Sequence, residues 1–270
     1  MKRLLATTLA CLAGLALSNT ASARERPAFA EHFGAYAACA LFLTRDRHRE
    51  SRLEYRPEQC AQALSPCSTF KIPNALIALQ EGAASGPDHL KRWDGTQHER
   101  AANNRDHTLT SAIADSVVWY FQSLAREVGA ARMQHWLDRL DYGNRDISGG
   151  IDRFWLSDSL QIDAYRQLEL LIELKHQTLP FRPEVQSQVQ TMLVQDSDLP
   201  GTLHGKTGSC RGAGEDPDHG WFIGWVDWET GRSDRPATTW FVVNIIGDDA
   251  WGWQARPIAL KLLSEQRPGD

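Results

Sequence analysis

A serine and a lysine three positions apart, in Ser68-Thr69-Phe70-Lys71, stand just ahead of Ile72-Pro73 and an apolar run that reads as a helix. On a helical turn, residues i and i+3 face the same way, so the Lys71 amine reaches the Ser68 hydroxyl. A serine hydroxyl is a weak nucleophile until a base takes its proton, and a lysine held among apolar groups is driven toward its neutral, basic form. Phe70, Ile72 and Pro73 offer such surroundings. A second group, Lys206-Thr207-Gly208, ends a β-type run and is followed by Ser209. Its lysine sets a positive charge at a cleft edge, and its glycine lets a substrate lie against the strand in the manner of an added strand. Between them, Ser116-Val117-Val118 puts a hydroxyl ahead of an apolar pair. Each group alone also suits a plain role: a helix start, a strand end, an N-cap.

Composition supports the attention to lysine. Only 6 of the 29 basic residues are Lys, so a position that keeps Lys is where to look for an amine that must lose its proton, which a guanidinium does not do. The 270 residues are 42% hydrophobic and 23% charged, which excludes disordered, collagenous and multi-span membrane classes. A net charge of -5 provides no basic field for polyanions, so no nucleic-acid partner is expected.

The first residues have the n-region, apolar core and A-x-A end of a secretory signal peptide: Met1-Lys2-Arg3, an apolar run from Leu4 to Leu17, then Ala21-Ser22-Ala23. The run is shorter than the roughly 18 to 20 residues of a membrane span, so cleavage after Ala23 and no stable membrane association are expected. Export across the inner membrane to the periplasm follows, and an oxidising compartment favours disulfides among Cys39, Cys60, Cys67 and Cys210, with three pairings open. With no CxxC or HExxH spacing and nine scattered histidines, no metal site is expected.

Around these residues the periodicity predicts helices at 75–79, 117–128, 131–140, 165–176 and from Arg182-Pro183 to about Val194, with a last helix over 256–265. The ends of the chain read as strands: a hairpin of 37–44 and 52–55, then 202–207, 220–228 and 238–246. Strands, a helical block and strands again predict an α/β (α+β) fold in which an antiparallel sheet formed by N- and C-terminal strands is flanked by helices and faces a mostly helical second lobe. We expect residues 24–270 to form a single catalytic domain, with the sheet lobe at about 24–60 and 200–270 and the helical lobe at about 75–195. Trp155, Trp221, Trp225, Trp228 and Trp240 lie in strongly apolar stretches and read as core rather than as a carbohydrate platform.

Ser68-x-x-Lys71, Ser116-x-Val118, Tyr142-Gly143-Asn144 and Lys206-Thr207-Gly208 occur in the order and approximate spacing of the penicillin-recognising serine enzymes. Together with Ala125 to Gly129, Asp141 to Ile151, Phe154-Trp155-Leu156 and Gly220 to Trp225, they make the chain closely resemble class D (oxacillinase-type) serine β-lactamases over nearly all of 24–270. The resemblance implies a β-lactamase/transpeptidase-like fold, a small-molecule β-lactam substrate and antibiotic resistance. It implies Ser68 as the nucleophile that forms an acyl-enzyme and Lys71, carboxylated by CO2 or bicarbonate to N6-carboxylysine, as the base. It also implies Ser116 as a proton shuttle, Val117 as a pocket wall and Trp155 as the donor to the carbamate. Lys206, Thr207 and an Arg256 just before the last helix would meet the substrate carboxylate, and the backbone N–H groups of Ser68 and Ser209 would form the oxyanion hole.

Some positions depart from the family pattern. Ser209 stands where an aromatic is frequent, Asn103 where many members carry Trp, and Trp119-Tyr120 where a Pro-containing sequence is commoner. If the Ser68 and Lys206 motifs face each other across a cleft, export predicts a Cys67–Cys210 bridge, with Cys39–Cys60 tying the N-terminal hairpin. Two alternatives share the motifs: a penicillin-binding transpeptidase or carboxypeptidase, and a non-hydrolytic β-lactam sensor domain. Both usually come with an anchor or further domain, where this sequence shows a cleavable leader. Neither the substrate spectrum nor the oligomeric state is legible in the sequence.

Overall fold

Strands from the two ends of the chain meet in one sheet of order β1-β3-β2-β7-β6-β5-β4. They are β1 (Arg24–Glu25), β2 (Ala37–Arg45), β3 (Glu50–Tyr55), β4 (Val194–Gln195), β5 (Gly201–Cys210), β6 (Asp218–Trp228) and β7 (Ala237–Gly247). The computed structural model describes residues 24, 25, 27–47, 49–212, 216–229 and 237–268; the expected signal peptide, 1–23, lies outside the described residues. All pairings are antiparallel except β1 with β3. The seam between the chain ends is β2 against β7, in register from Ala37↔Ile246 to Arg45↔Thr238.

The central strands β6 and β7 are buried along almost their whole length, which explains why Trp221-Phe222-Ile223 and Phe241-Val242-Val243 read as continuous apolar runs. Successive side chains feed opposite cores because a strand alternates its faces. Trp221, Ile223, Trp225, Trp240 and Val242 point into a larger core shared with the helices of the central block. Phe222, Val226, Phe241, Val243 and Ile245 point to a smaller core under the last helix. The five tryptophans expected in the core are each at most 5% exposed.

The helices are α1 (Ala30–Phe33), α2 (Pro57–Cys60), α3 (Lys71–Gln80), α4 (Leu109–Ala114), α5 (Val118–Val128), α6 (Ala130–Arg139), α7 (Ala164–Lys175), α8 (Pro183–Met192) and α9 (Gly252–Glu265). Residues 71–79 of α3 are buried all round, as expected of a helix apolar on every face. One expectation is corrected: α9 begins at Gly252, not at Arg256. Its start is set by Gln254, whose Oε1 accepts from Trp251 N at 2.9 Å, and by a close approach to β5. A Cβ on Gly252 would stand 2.4 Å from Gly208 O, so only glycine opens the helix there.

The two cysteine pairs are Cys39–Cys60, joining β2 to α2, and Cys67–Cys210, joining the turn before α3 to the end of β5 across 143 residues. Among the described residues, no helix is long and apolar enough to cross a membrane.

Candidate active site

Ser68 lies in a 3-10 turn, Cys67–Phe70, that runs directly into α3. The turn enters through Cys67 in the left-handed region (φ 52°). It is held by Thr69 Oγ1, which donates to Pro66 O at 2.7 Å and reaches Gln167 Oε1 of α7 at 3.1 Å. Lys71, one turn on, is fully buried, and its Nζ donates to Ser68 Oγ at 2.7 Å. Burial drives the Lys71 amine well below the ordinary lysine range, and the charges of Lys206 and Arg100 push it further the same way. In the neutral form the same contact runs in reverse: the hydroxyl donates to the amine lone pair, the geometry a proton transfer needs. The apolar wall comes from farther along the chain than Ile72-Pro73 suggested, since the Phe121 ring of α5 sits 5.7 Å from Nζ and Val117 is fully buried beside it in the same core.

Ser116 occupies the junction between α4 and α5 in the left-handed region (φ 57°). The N-cap of α5 is Val117, which leaves the Ser116 hydroxyl out of any capping role. That hydroxyl accepts from Lys206 Nζ at 2.9 Å, while the same ammonium donates to Thr207 O at 3.0 Å. Lys206 is pushed down to about 7, by burial first and then by Arg100.

Strand alternation decides what β5 offers. Gly205 N donates to Leu193 O at 2.8 Å, so the N–H groups of odd-numbered residues point away from β6. β4 pairs only with Leu203 and His204, so beyond it the backbone N–H groups of Thr207 and Ser209 face an open edge beside the Ser68 turn. The Ser209 N–H thus lies on the β5 edge that runs beside the 3-10 turn carrying Ser68. Side chains follow the opposite count: Lys206, Gly208 and Cys210 face the helical lobe, while Ser209 Oγ turns to α9 and accepts from Gly252 N at 2.9 Å. Gly208 also has a reason inside the protein. A Cβ there would lie 2.9 Å from Pro66 O and 3.0 Å from Thr69 Cγ2, so the close approach it permits is that of the protein's own nucleophile turn.

Trp155 is fully buried in the loop between α6 and α7 and stacks on Phe70 with centroids 5.4 Å apart. Its carbonyl accepts from Ser65 Oγ at 2.9 Å, yet its indole N–H has no partner among the described residues. Tyr142-Gly143-Asn144 is a clamp on this loop: Asn144 Nδ2 donates to Ser159 O at 2.6 Å and Asn144 Oδ1 accepts from Gln161 N at 3.0 Å.

Arg256 departs from expectation in its place on the last helix. It lies inside α9, with Nη2 donating to Asp196 O at 2.7 Å and Nε reaching Gln195 Oε1 at 3.3 Å. Two of its nitrogens hold the β4 edge, and no hydrogen bond joins it to Lys206 or Thr207 among the described residues. Arg100 and Ser65 escaped the sequence reading. Arg100 precedes a short 3-10 turn, Ala101–Asn103, whose Asn103 O accepts from Trp119 Nε1 at 2.9 Å, so two of the departures from the family pattern meet in one contact. Ser65 O gathers Trp221 Nε1 and His219 Nε2, both at 3.0 Å. Neither residue belongs to a short motif, so spacing carried no signal for it.

A serine prepared to attack a carbonyl, facing two backbone donors and a strand lysine, is the equipment of the penicillin-recognising serine enzymes. Residues 15–233 match the penicillin binding protein transpeptidase domain family. The chain is 41% identical over 224 residues to the Bacillus subtilis protein named "Probable beta-lactamase YbxI", covering 83% of this chain and 79% of that one. It is 38% identical to the Pseudomonas aeruginosa β-lactamase OXA-11, covering 82% and 83%. Among solved structures, class D β-lactamase BAT-2 superposes with a TM-score of 0.78 at 38% identity, covering 88% of this chain and 94% of that one. The C-terminal domain of the Bacillus licheniformis BlaR penicillin-receptor superposes with a TM-score of 0.78 at 32% identity, covering 88% and 94%. The chain belongs to the class D β-lactamases and is a serine hydrolase of β-lactams.

Proposed function

We propose that the protein hydrolyses penicillin-type β-lactams in the periplasm through an acyl-enzyme on Ser68, with Lys71 in its N-carboxylated form as general base, and that this confers antibiotic resistance. The observation that carries the reading is a fully buried Lys71 amine 2.7 Å from the Ser68 hydroxyl. A neutral amine is the form that takes up CO2, and the buried Trp155 N–H, which has no partner among the described residues, is a donor suited to a carbamate oxygen. When present, the carbamate supplies an anionic oxygen base for both half-reactions.

Ser68 Oγ loses its proton toward the Lys71 side chain and attacks the lactam carbonyl, whose developing charge falls between the N–H groups of Ser68 and Ser209. Ser116, held by Lys206, passes a proton to the departing ring nitrogen. The substrate carboxylate meets Lys206, Thr207 and the Nη1 of Arg256, the guanidinium nitrogen not engaged with β4. Water then releases the acyl group by the same proton path in reverse. Val117 walls the pocket against bulk solvent.

The test is a penicillin time course with and without bicarbonate, at neutral and acidic pH, alongside 13C NMR after 13C-bicarbonate. Turnover that bicarbonate restores after acid treatment, with a carbamate resonance absent in Lys71→Ala, is the expected result. Wild-type deacylation by Lys71→Ala would overturn the assignment. The likeness to the BlaR receptor domain favours one second reading, binding without turnover. A single stoichiometric acylation with no further hydrolysis would establish it.

A further inference from the structure

Beyond the catalytic groups, the described residues hold one cluster of ligand-type side chains: Cys67, Cys210 and His219, with Sγ, Sγ and a ring nitrogen all within 4.8 Å of one another. Three separate segments supply them: the turn before Ser68, the end of β5 and the start of β6. Cys210 and His219 are directly opposite in the β5–β6 register, which puts their side chains on one face. His219 Nε2 lies 3.3 Å from Cys67 Sγ and 3.0 Å from Ser65 O. Ser65 Oγ is 3.5 Å from Cys210 Sγ. His219 and Ser65 also line a surface cavity of about 410 Å³ with Asp158 and Arg211, which connects the cluster to solvent.

We propose that reduction of the Cys67–Cys210 disulfide converts this cluster into a binding site for one divalent cation of the zinc type. A dithiol reductant supplies two electrons and two protons, becoming a disulfide itself, and the two sulfurs become thiols. The cation then displaces both thiol protons, while the His219 ring gives up its Nε2–H bond to Ser65 O, carries its one proton on Nδ1 instead, and binds through Nε2. Two thiolates balance the charge of the ion. Zinc–sulfur distances of about 2.3 Å and zinc–nitrogen distances of about 2.0 Å require ligand atoms roughly 3.3 to 3.8 Å apart, close to the Cys67–His219 separation already present. A water from the cavity completes a tetrahedral shell. The other pair, Cys39–Cys60, belongs to no such cluster and serves as an internal control. The ion would sit one residue from the nucleophile and beside the strand end that carries the Ser209 N–H.

The test uses the chain from Arg24 onward, reduced with a dithiol and desalted under argon, then titrated with cadmium while the ultraviolet thiolate-to-cadmium absorption and circular dichroism are recorded. One equivalent should bind to the reduced protein and none to the oxidised protein. His219→Gln should weaken binding more than ten-fold, Cys210→Ser should abolish the absorption, and a Cys39→Ser, Cys60→Ser double variant should leave it in place. His219→Gln keeps the disulfide and so reports on the site even where Cys210→Ser fails to fold. Absence of the absorption in reduced wild-type, unchanged affinity in His219→Gln, or loss of the native circular dichroism on reduction would each overturn the proposal.

Discussion

The two faces of the sheet are built by different rules. Toward α9, the core is dominated by Ala38, Phe42, Phe222, Phe241, Val243, Ala259 and Leu262, and its buried hydroxyl, Thr239, is bonded to Trp228 Nε1 and Thr44 Oγ1. Toward the helical lobe, aromatic and aliphatic groups of the core surround buried Lys71, Asn74, Gln167 and Lys206. Among the described residues, that second face also leaves polar atoms without protein partners, including Asn74 Oδ1, Gln167 Nε2 and the indole N–H groups of Trp155 and Trp225. A buried polar group without a hydrogen bond costs about 1–3 kcal/mol, so a face that keeps several of them is maintained for something other than stability. The α9 face holds the sheet together, and the helical-lobe face spends part of that stability on two displaced lysine amines.

Substitutions can break this contrast, and their effects on turnover should fall in order. Ser68→Ala should reduce penicillin turnover by about 10⁴-fold or more while thermal unfolding stays close to wild-type, since the hydroxyl makes chemistry and not core. Lys71→Met, which keeps the volume and removes the amine, should cut kcat by about 10²- to 10⁴-fold and raise Tm. The sign follows from linkage. The native amine is held neutral where the unfolded chain binds a proton, so the Tm gain should be present at pH 7 and shrink as pH approaches the ordinary lysine value of about 10.4. Lys206→Met should raise KM by about 10- to 100-fold with a smaller change in kcat, as expected for a charge-assisted contact of about 1.5–3 kcal/mol.

Wild-type KM should also climb as pH rises through about 7, where Lys206 loses its charge, and the variant should lack that limb. At the bottom of the series, Leu262→Ala on the α9 face should cost about 2–5 kcal/mol in denaturant unfolding and leave kcat/KM of the folded enzyme unchanged. A fall in kcat/KM for Leu262→Ala as large as that for Lys206→Met would erase the contrast.

Much of this arrangement was visible in the chain. Four helices of the central block and the five long strands fall close to where periodicity put them, α3 starts at Lys71 instead of 75, α4 went unpredicted, and both cysteine pairs are those expected. Adjacent residues did well because i, i+3 geometry is local: Ser68 and Lys71 meet on one turn. Errors arose where a distant segment decides. Arg256 sits one turn inside α9 because Trp251 and Gln254 close the helix start through a backbone-to-side-chain bond that no Ser, Thr, Asp or Asn announces. Its guanidinium went to Asp196 and Gln195, residues that no motif connects to it. That Gly208 also makes room for Pro66 and Thr69 was not legible, because they come from another segment. The cluster of Cys67, Cys210 and His219 has no ligand spacing along the chain, since its members come from three segments.

The sequence alone determined residue chemistry and local facing: a serine with a lysine one turn away, a strand lysine followed by glycine, and an unusual economy of lysine that marked both. Tertiary structure alone decided their electrostatic states. Lys71 is shifted by burial against Phe121, fifty positions along the chain, and by Lys206 and Arg100, which arrive on other elements. A pKa depends on desolvation and on charges summed through space, and neither quantity is a function of spacing along the chain. The same holds for the open edge of β5, which exists only because β4 stops at two residues and leaves the Thr207 and Ser209 N–H groups unpaired by strand.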